Sequence, residues 1–370
     1  MKKMVYLSNV WPRKSTSAAS DRVFSFMSMF RKNNYDMTFI CSAKPSPEQL
    51  KEFKSDHRPT VFNLDPNDPP EAGNILKSLK KGTEFAIFDG FVAEEYFSHY
   101  MYRYQQNIMR VLDTQDIHSL RKARQKVFEA LQSKNPEGDE FTYLPEVLNC
   151  EVDTRDPLCA RELLSLYRSD LIFVCSDYEQ MILKKKFLID STKVQFFFVS
   201  KQFGDSKFPS IFEVRKAADV NPTLEFDYKF KTDQNYDSEL DKTASEQVFK
   251  EKEHFFFIGN YQHAPNRQAV KTLLKIWPRI RERLPEAQLH IYGSDFPQAF
   301  AGIESIPGVK KRNLMKSLES IARYRVLLAP LMFGAGAKGS ANKKDLRVLD
   351  SKCALRDDPH RSRVSLPRKR

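Results

Sequence analysis

His254-Phe255-Phe256-Phe257-Ile258-Gly259-Asn260-Tyr261-Gln262-His263-Ala264-Pro265-Asn266 sets a continuous apolar run before a glycine, then a proline at the mouth of a long helical pattern. Four large apolar residues in succession fit a strand buried on both faces, because alternation is needed only where one face meets water. Pro265 suits a helix's first turn, where its missing N–H costs nothing. The helix is predicted from about Pro265 to Leu284. The same rhythm then repeats. Gln288–Tyr292 reads as a strand ending at Gly293-Ser294, and Arg325–Pro330 as another running into Gly334-Ala335-Gly336-Ala337-Lys338-Gly339. Of only twelve glycines, seven lie between residues 254 and 339, and most close a strand. Ligands of open parallel sheets bind beyond the carboxyl ends of the strands, so these glycines stand where a site belongs.

Upstream, short apolar runs alternate with helical patterns. Strands are predicted at Met4–Ser8, Met37–Ser42, Thr60–Asn63, Phe85–Asp89, Met109–Asp113, Leu171–Ser176 and Val194–Val199. Within Asp21–Lys32, Val23, Phe26, Met27 and Phe30 recur at the spacing of one buried helix face. The polar loop Ser15–Ser20 precedes it and supplies capping oxygens. Strand, loop and helix in alternation define a doubly wound α/β class. Gln132–Pro157, rich in Pro, Gly and acidic residues, reads as a surface excursion, and Gly204–Lys252 as the interdomain connection. The expected domains are 1–203, 204–253 as connection, a partial second domain over 254–339, and a basic tail over 340–370.

The 370 residues carry 60 Lys+Arg against 48 Asp+Glu, a net charge of +12. Half of that excess sits in Ser340–Arg370, which holds ten basic and four acidic residues and no Glu. With no stacking-aromatic or nucleic-acid motif beside it, the charge argues against specific nucleic-acid binding and leaves room for peripheral contact with a membrane surface. No apolar run approaches the roughly 18 residues of a spanning helix, and the greasy start ends at Ser8-Asn9, so neither span nor signal peptide is read. Five irregularly spaced cysteines fit free thiols in the cytoplasm, with Cys41 and Cys175 expected in the core. The seven histidines form no close ligand pair, and Cys150 and Cys159 have no partnering set, so no metal site is expected.

The glycine run Gly334–Gly339 can turn several backbone N–H groups toward one phosphate, and Lys338 adds a point charge; a flexible turn with a solvated lysine has the same composition. His118 either hydrogen-bonds a substrate hydroxyl or caps a helix. Asp116 reads as a turn or cap residue rather than a base. Ser176 and Glu179 lie where cleft residues would, although Ser-x-x-Glu also starts a helix unaided.

In order and spacing, Phe256–Asn266, Trp277–Arg281, Leu284–Gly293, Arg323–Leu331 and the glycine run resemble the donor-binding domain of retaining family 4 glycosyltransferases. Ser169–Glu179 and Val111–His118 are similar to segments of that family's first domain. The resemblance spans residues 1 to about 339. It implies a GT-B fold, two Rossmann-like domains facing a cleft, and transfer of a sugar from a nucleotide-sugar to an unidentified acceptor hydroxyl with retention. Gly259, Asn260, Gly334, Gly336, Lys338 and Gly339 would then hold the donor diphosphate, and His118 would serve catalysis. Ser15, Ser17, Asp116, Ser176 and Glu179 would lie on the acceptor side, with no obligatory metal and no cofactor besides the donor. His263, Pro265 and Asn266 also match.

The likeness stops after Gly339. The family's next helix commonly carries a carboxylate for the ribose, and Ser340–Arg370 offers no Glu. The expectation is therefore an incomplete second domain with a truncated or replaced C-terminus and weakened donor binding. The alternative is a catalytically silent binding or scaffold protein.

Overall fold

Seven parallel strands carry the first of two α/β units. The structure, a computed structural model, describes residues 2–13, 18–57, 59–65, 67–79, 82–196, 252–312 and 323–335. The elements in order are β1 (Lys2–Ser8), α1 (Ala18–Lys32), β2 (Tyr35–Cys41), α2 (Pro47–His57), β3 (Thr60–Asn63), α3 (Pro69–Lys77), β4 (Thr83–Asp89) and α4 (Gly90–Tyr104). There follow β5 (Met109–Asp113), α5 (His118–Lys134), α6 (Leu144–Leu148), α7 (Pro157–Arg168), β6 (Leu171–Val174), α8 (Asp177–Lys185) and β7 (Val194–Phe196). The sheet order is β3-β2-β1-β4-β5-β6-β7, so the winding reverses between β1 and β4. In β1, Val5 and Leu7 enter one core, with Phe88, Phe97 and Ile182, while Met4 and Tyr6 enter the other, with Phe26, Phe30 and Phe39. Both faces are dry, which is why the strand reads as an unbroken apolar run. The stripe of α1 is buried as its spacing predicts, at Val23, Phe26, Met27 and Phe30.

In the second unit, β8 (Glu253–Asn260), α9 (Ala264–Arg283), β9 (Leu289–Ser294), β10 (Val309–Arg312) and β11 (Tyr324–Leu327) form a parallel sheet of order β10-β9-β8-β11. Trp277 of α9 is fully buried and donates its indole N–H to the Pro307 carbonyl at 3.0 Å. Sequence reading missed β10. It is an edge strand of sequence Val-Lys-Lys-Arg in which only Val309 is buried, so it lacks the apolar signature of its neighbours.

Each unit draws on separated parts of the chain. Among the described residues, the first takes in those up to 129, 149–196 and 334–335, and the second those of 130–148, 252–312 and 323–333. The stretch 130–148, which overlaps the surface excursion expected over 132–157, is built into the second unit. Its Glu140, in a 3₁₀ turn over Glu140–Tyr143, is buried and accepts hydrogen bonds from Thr272 at 2.6 Å and Gln268 at 3.2 Å, both on α9. An acidic residue two positions after a glycine looks solvated in one dimension; here it is the acceptor that two buried donors require. Among the described residues no helix is long and apolar enough to cross a membrane.

Candidate functional site

Ser8, Asp89 and Asp113 end β1, β4 and β5, on either side of the point where the winding reverses. Asp113 is fully buried and grips Arg22 of α1 in a two-pronged pair, Nε to Oδ2 at 2.8 Å and Nη2 to Oδ1 at 2.7 Å. Burial works against the Arg22 charge, yet the Asp113 carboxylate more than offsets it and raises the guanidinium pKa above its ordinary value. Asp89 accepts hydrogen bonds from the Ser8 hydroxyl at 2.7 Å, the Tyr6 phenol at 3.3 Å and the Gln115 amide. Burial pushes its carboxyl up to about 6 in spite of these donors.

Beyond β5 the chain makes a turn held by residues from four other segments. The Thr114 N–H and hydroxyl both donate to the Phe173 carbonyl at 3.0 Å. Gln115 sits at φ 61°, a left-handed conformation that costs a non-glycine residue about 1 kcal/mol or more. Its carbonyl accepts from the Cys175 thiol at 2.9 Å. Cys175 is thus half-buried and bonded to this turn, a correction to its expected place in the core. Glu179 takes the Ile117 N–H at 2.9 Å, and Glu162 takes the N–H groups of His118 at 2.7 Å and Ser119 at 2.9 Å plus the Ser119 hydroxyl at 2.5 Å. These carboxylates satisfy donors that the start of α5 leaves open. Burial nonetheless pushes the Glu162 carboxyl up to about 7.

What this turn presents is His118, the first residue of α5, with 31 % of its side chain exposed. Its Nε2 lies 3.2 Å from Asp116 Oδ1, while Asp116 also pairs with Arg121. Phe91 meets the imidazole edge-to-face at 5.2 Å. Burial lowers the imidazole pKa despite the Asp116 charge, so the ring is neutral near pH 7. The arrangement offers an oriented hydrogen-bonding group at the carboxyl end of a parallel sheet.

Ser176 is the N-cap of α8 and accepts the Glu179 N–H at 3.2 Å; with Glu179 fully buried, both serve the scaffold beneath the turn. Ser15, Ser17, Gly336, Lys338 and Gly339 lie outside the described residues. Gly334 is buried, and its carbonyl accepts from Arg124 of α5 within the first unit. In the second unit Gly259 ends beneath Asn266, whose Cγ would stand 2.8 Å from an added Cβ. Asn260 Oδ1 accepts the Gln262 N–H at 2.8 Å, and its carbonyl accepts the Asn266 amide at 2.9 Å. Across the strand pair, a Cβ on Gly293 would lie 2.0 Å from the Gly259 carbonyl oxygen. Sequence reasoning missed Arg22, Asp89 and Glu162. The one local signal was Asp89-Gly90, a carboxylate and a positive-φ glycine (82°) closing an apolar run.

No protein-family model matches the chain, and no curated protein matches it. Solved structures do. A point mutant of Staphylococcus aureus TarM, crystallised with fondaparinux, α-GlcNAc-glycerol and UDP, matches with a TM-score of 0.53 at 6 % identity, covering 88 % of this chain and 80 % of that one. Anabaena HepE in complex with UDP matches at 0.49 and 10 % identity, over 89 % and 74 %. A glycosyltransferase from Rickettsia africae matches at 0.48 and 9 % identity, over 89 % and 72 %. The parallel α/β architecture is that of the GT-B fold.

Proposed function

We propose that the chain is a glycosyltransferase of the retaining family 4 type, moving a sugar from a nucleotide-sugar to an acceptor hydroxyl. The turn carrying His118 supports this reading best. A strained residue, two buried glutamates and an Asp–His pair hold one half-exposed imidazole at the sheet's carboxyl end, on a GT-B fold. Strain of this kind persists only where neighbouring groups over-determine it, and such places cluster at functional sites.

In the transfer, the bond between the anomeric carbon and the diphosphate oxygen breaks. A bond from that carbon to the acceptor oxygen forms on the same face, and the hydroxyl proton leaves with the diphosphate. His118 would hydrogen-bond the sugar. Negative charge grows on the leaving diphosphate, and preorganised donors there lower the barrier. Gly259, Asn260, Gly334, Gly336, Lys338 and Gly339 are assigned that role, without an obligatory metal.

Titration calorimetry of the purified 370-residue protein with UDP- and GDP-sugars should give a saturable site. Nucleoside diphosphate release should fall roughly a hundredfold in His118→Ala, with nucleotide affinity unchanged. The anomeric proton coupling of the product reports retention. Absence of both saturable binding and turnover would favour the silent scaffold.

A further inference from the structure

A cavity of about 510 Å³ opens at the carboxyl ends of β2 and β3, walled on one side by α4. That size falls within the roughly 300–1,000 Å³ of small-molecule sites. We propose that it is a distal subsite for a neutral oligosaccharide acceptor, which the same chain would extend at His118; this rests on the glycosyl-transfer reading.

The lining chemistry selects the ligand. Asn63 spends both amide protons on the Cys41 and Ala43 carbonyls, at 2.8 Å each, so its side-chain oxygen is left as an acceptor toward the cavity. Ser42 adds a hydroxyl, and Tyr96, 40 % exposed on α4, adds a ring beside it. Acceptor, hydroxyl and aromatic face together suit a pyranose, whose hydroxyls take hydrogen bonds while its C–H face packs on a ring. Charge argues for a neutral sugar. Lys44 and Asp65 oppose one another in sign, and Glu95 is neutralised by Arg161, at 2.9 and 2.6 Å. Among the described lining residues Lys44 is joined by His99, whose pKa burial lowers, so no group of cations converges as a phosphate or carboxylate would require.

Position argues for a chain of sugars. From Glu95 the contacts run without a break toward the imidazole: Arg161 lies over the Phe91 ring at 5.5 Å, and Phe91 abuts His118. In the sheet β2 stands three places from β5, on the order of 15 Å at ordinary strand spacing. One ring cannot bridge that separation, whereas an oligosaccharide lying along the strand ends can.

The test uses the full chain on an immobilised array of neutral and acidic glycans, from monosaccharides upward, without nucleotide. Neutral oligosaccharides should be retained and monosaccharides not. Tyr96→Ala should weaken retention roughly tenfold, the size of a lost aromatic contact, with melting temperature and UDP affinity unchanged. Asn63→Ala should weaken it as well. Retention of no glycan, retention confined to acidic glycans, or retention indifferent to both substitutions would overturn the subsite. UDP binding is measured separately, so failure here with UDP bound leaves the transferase reading intact, and loss of UDP binding strikes that reading instead.

Discussion

The turn from β5 into α5 and the turn from β8 into α9 each lead from a parallel strand into a helix, and they are built in different ways. The first is held from afar: its bonds reach 26 residues back to Asp89, 44 forward to Glu162 and 62 forward to Glu179. The second is held mostly by its own residues, with Tyr261 reaching out to the Ser294 and Tyr292 carbonyls of β9 at 3.1 and 2.8 Å. Asn260 bonds a residue two positions on, Asn266 reaches back six, and Arg267 donates to the Tyr261 and Gln262 carbonyls at 2.7 Å. Carboxylates taken out of water must find every partner, so the first turn is rigid only when the whole unit is assembled. The second uses side-chain amides, one guanidinium on backbone carbonyls, and two glycines that let backbones approach. A turn that must present one side chain in one orientation uses the first design; a turn that must keep its backbone close to a neighbouring strand uses the second.

The widest breach of the contrast is Asp113→Ala. It strands the Arg22 guanidinium in a site where only 9 % of its side chain meets solvent, and urea unfolding of the first unit should register a loss of about 3–5 kcal/mol. A loss under about 1 kcal/mol would show that the buried charges are not what secures this region. Next comes Gly259→Ala, which drives a Cβ into Asn266 and should cost about 1–3 kcal/mol. Adding Asn266→Ala should recover part of it, because the obstacle is a side chain; no recovery would mean that backbone crowding governs the second turn.

Glu162→Gln sharpens the comparison through pH. The unfolded carboxyl loses its proton near its ordinary value and the folded one near 7. Between those values the folded chain holds the extra proton, so raising pH through the window costs the wild type stability. Its melting-temperature advantage over the variant should be largest below pH 5 and shrink by roughly 5 °C by pH 8. A constant difference would mean that Glu162 is ionised throughout. The smallest effect belongs to Asn260→Ala, which removes one local hydrogen bond and should lower stability by about 0.5–1 kcal/mol without altering the pH profile.

The same contrast explains how much the sequence disclosed. The more local turn was visible in one dimension: an apolar run, Gly259, then Pro265 and a helical period, and β8 and α9 lie where that pattern put them. The α1 stripe was equally plain. His118 drew notice, but Asp89 and Glu162 did not, because they are carboxylates whose meaning comes from donors distant in the chain. Ser176 and Glu179 carried a local cap signal that proved true, and it concealed the second task of Glu179 on the Ile117 N–H. Glu140 and β10 were illegible for related reasons, one a charged residue satisfied 128 and 132 positions away and the other an edge strand of lysines.

Glu140 also bears on the order in which the molecule can be made. A ribosome releases it with the first unit's strands only partly synthesised, more than a hundred residues before Gln268 and Thr272 exist to receive it. Until then its carboxylate stays in water, and closing so long a loop carries an entropic cost that the finished α9 must overcome. With 130–148 lent forward and Gly334 returned to Arg124, the two units are spliced into each other's sequence. No single cut in the gene yields either of them whole.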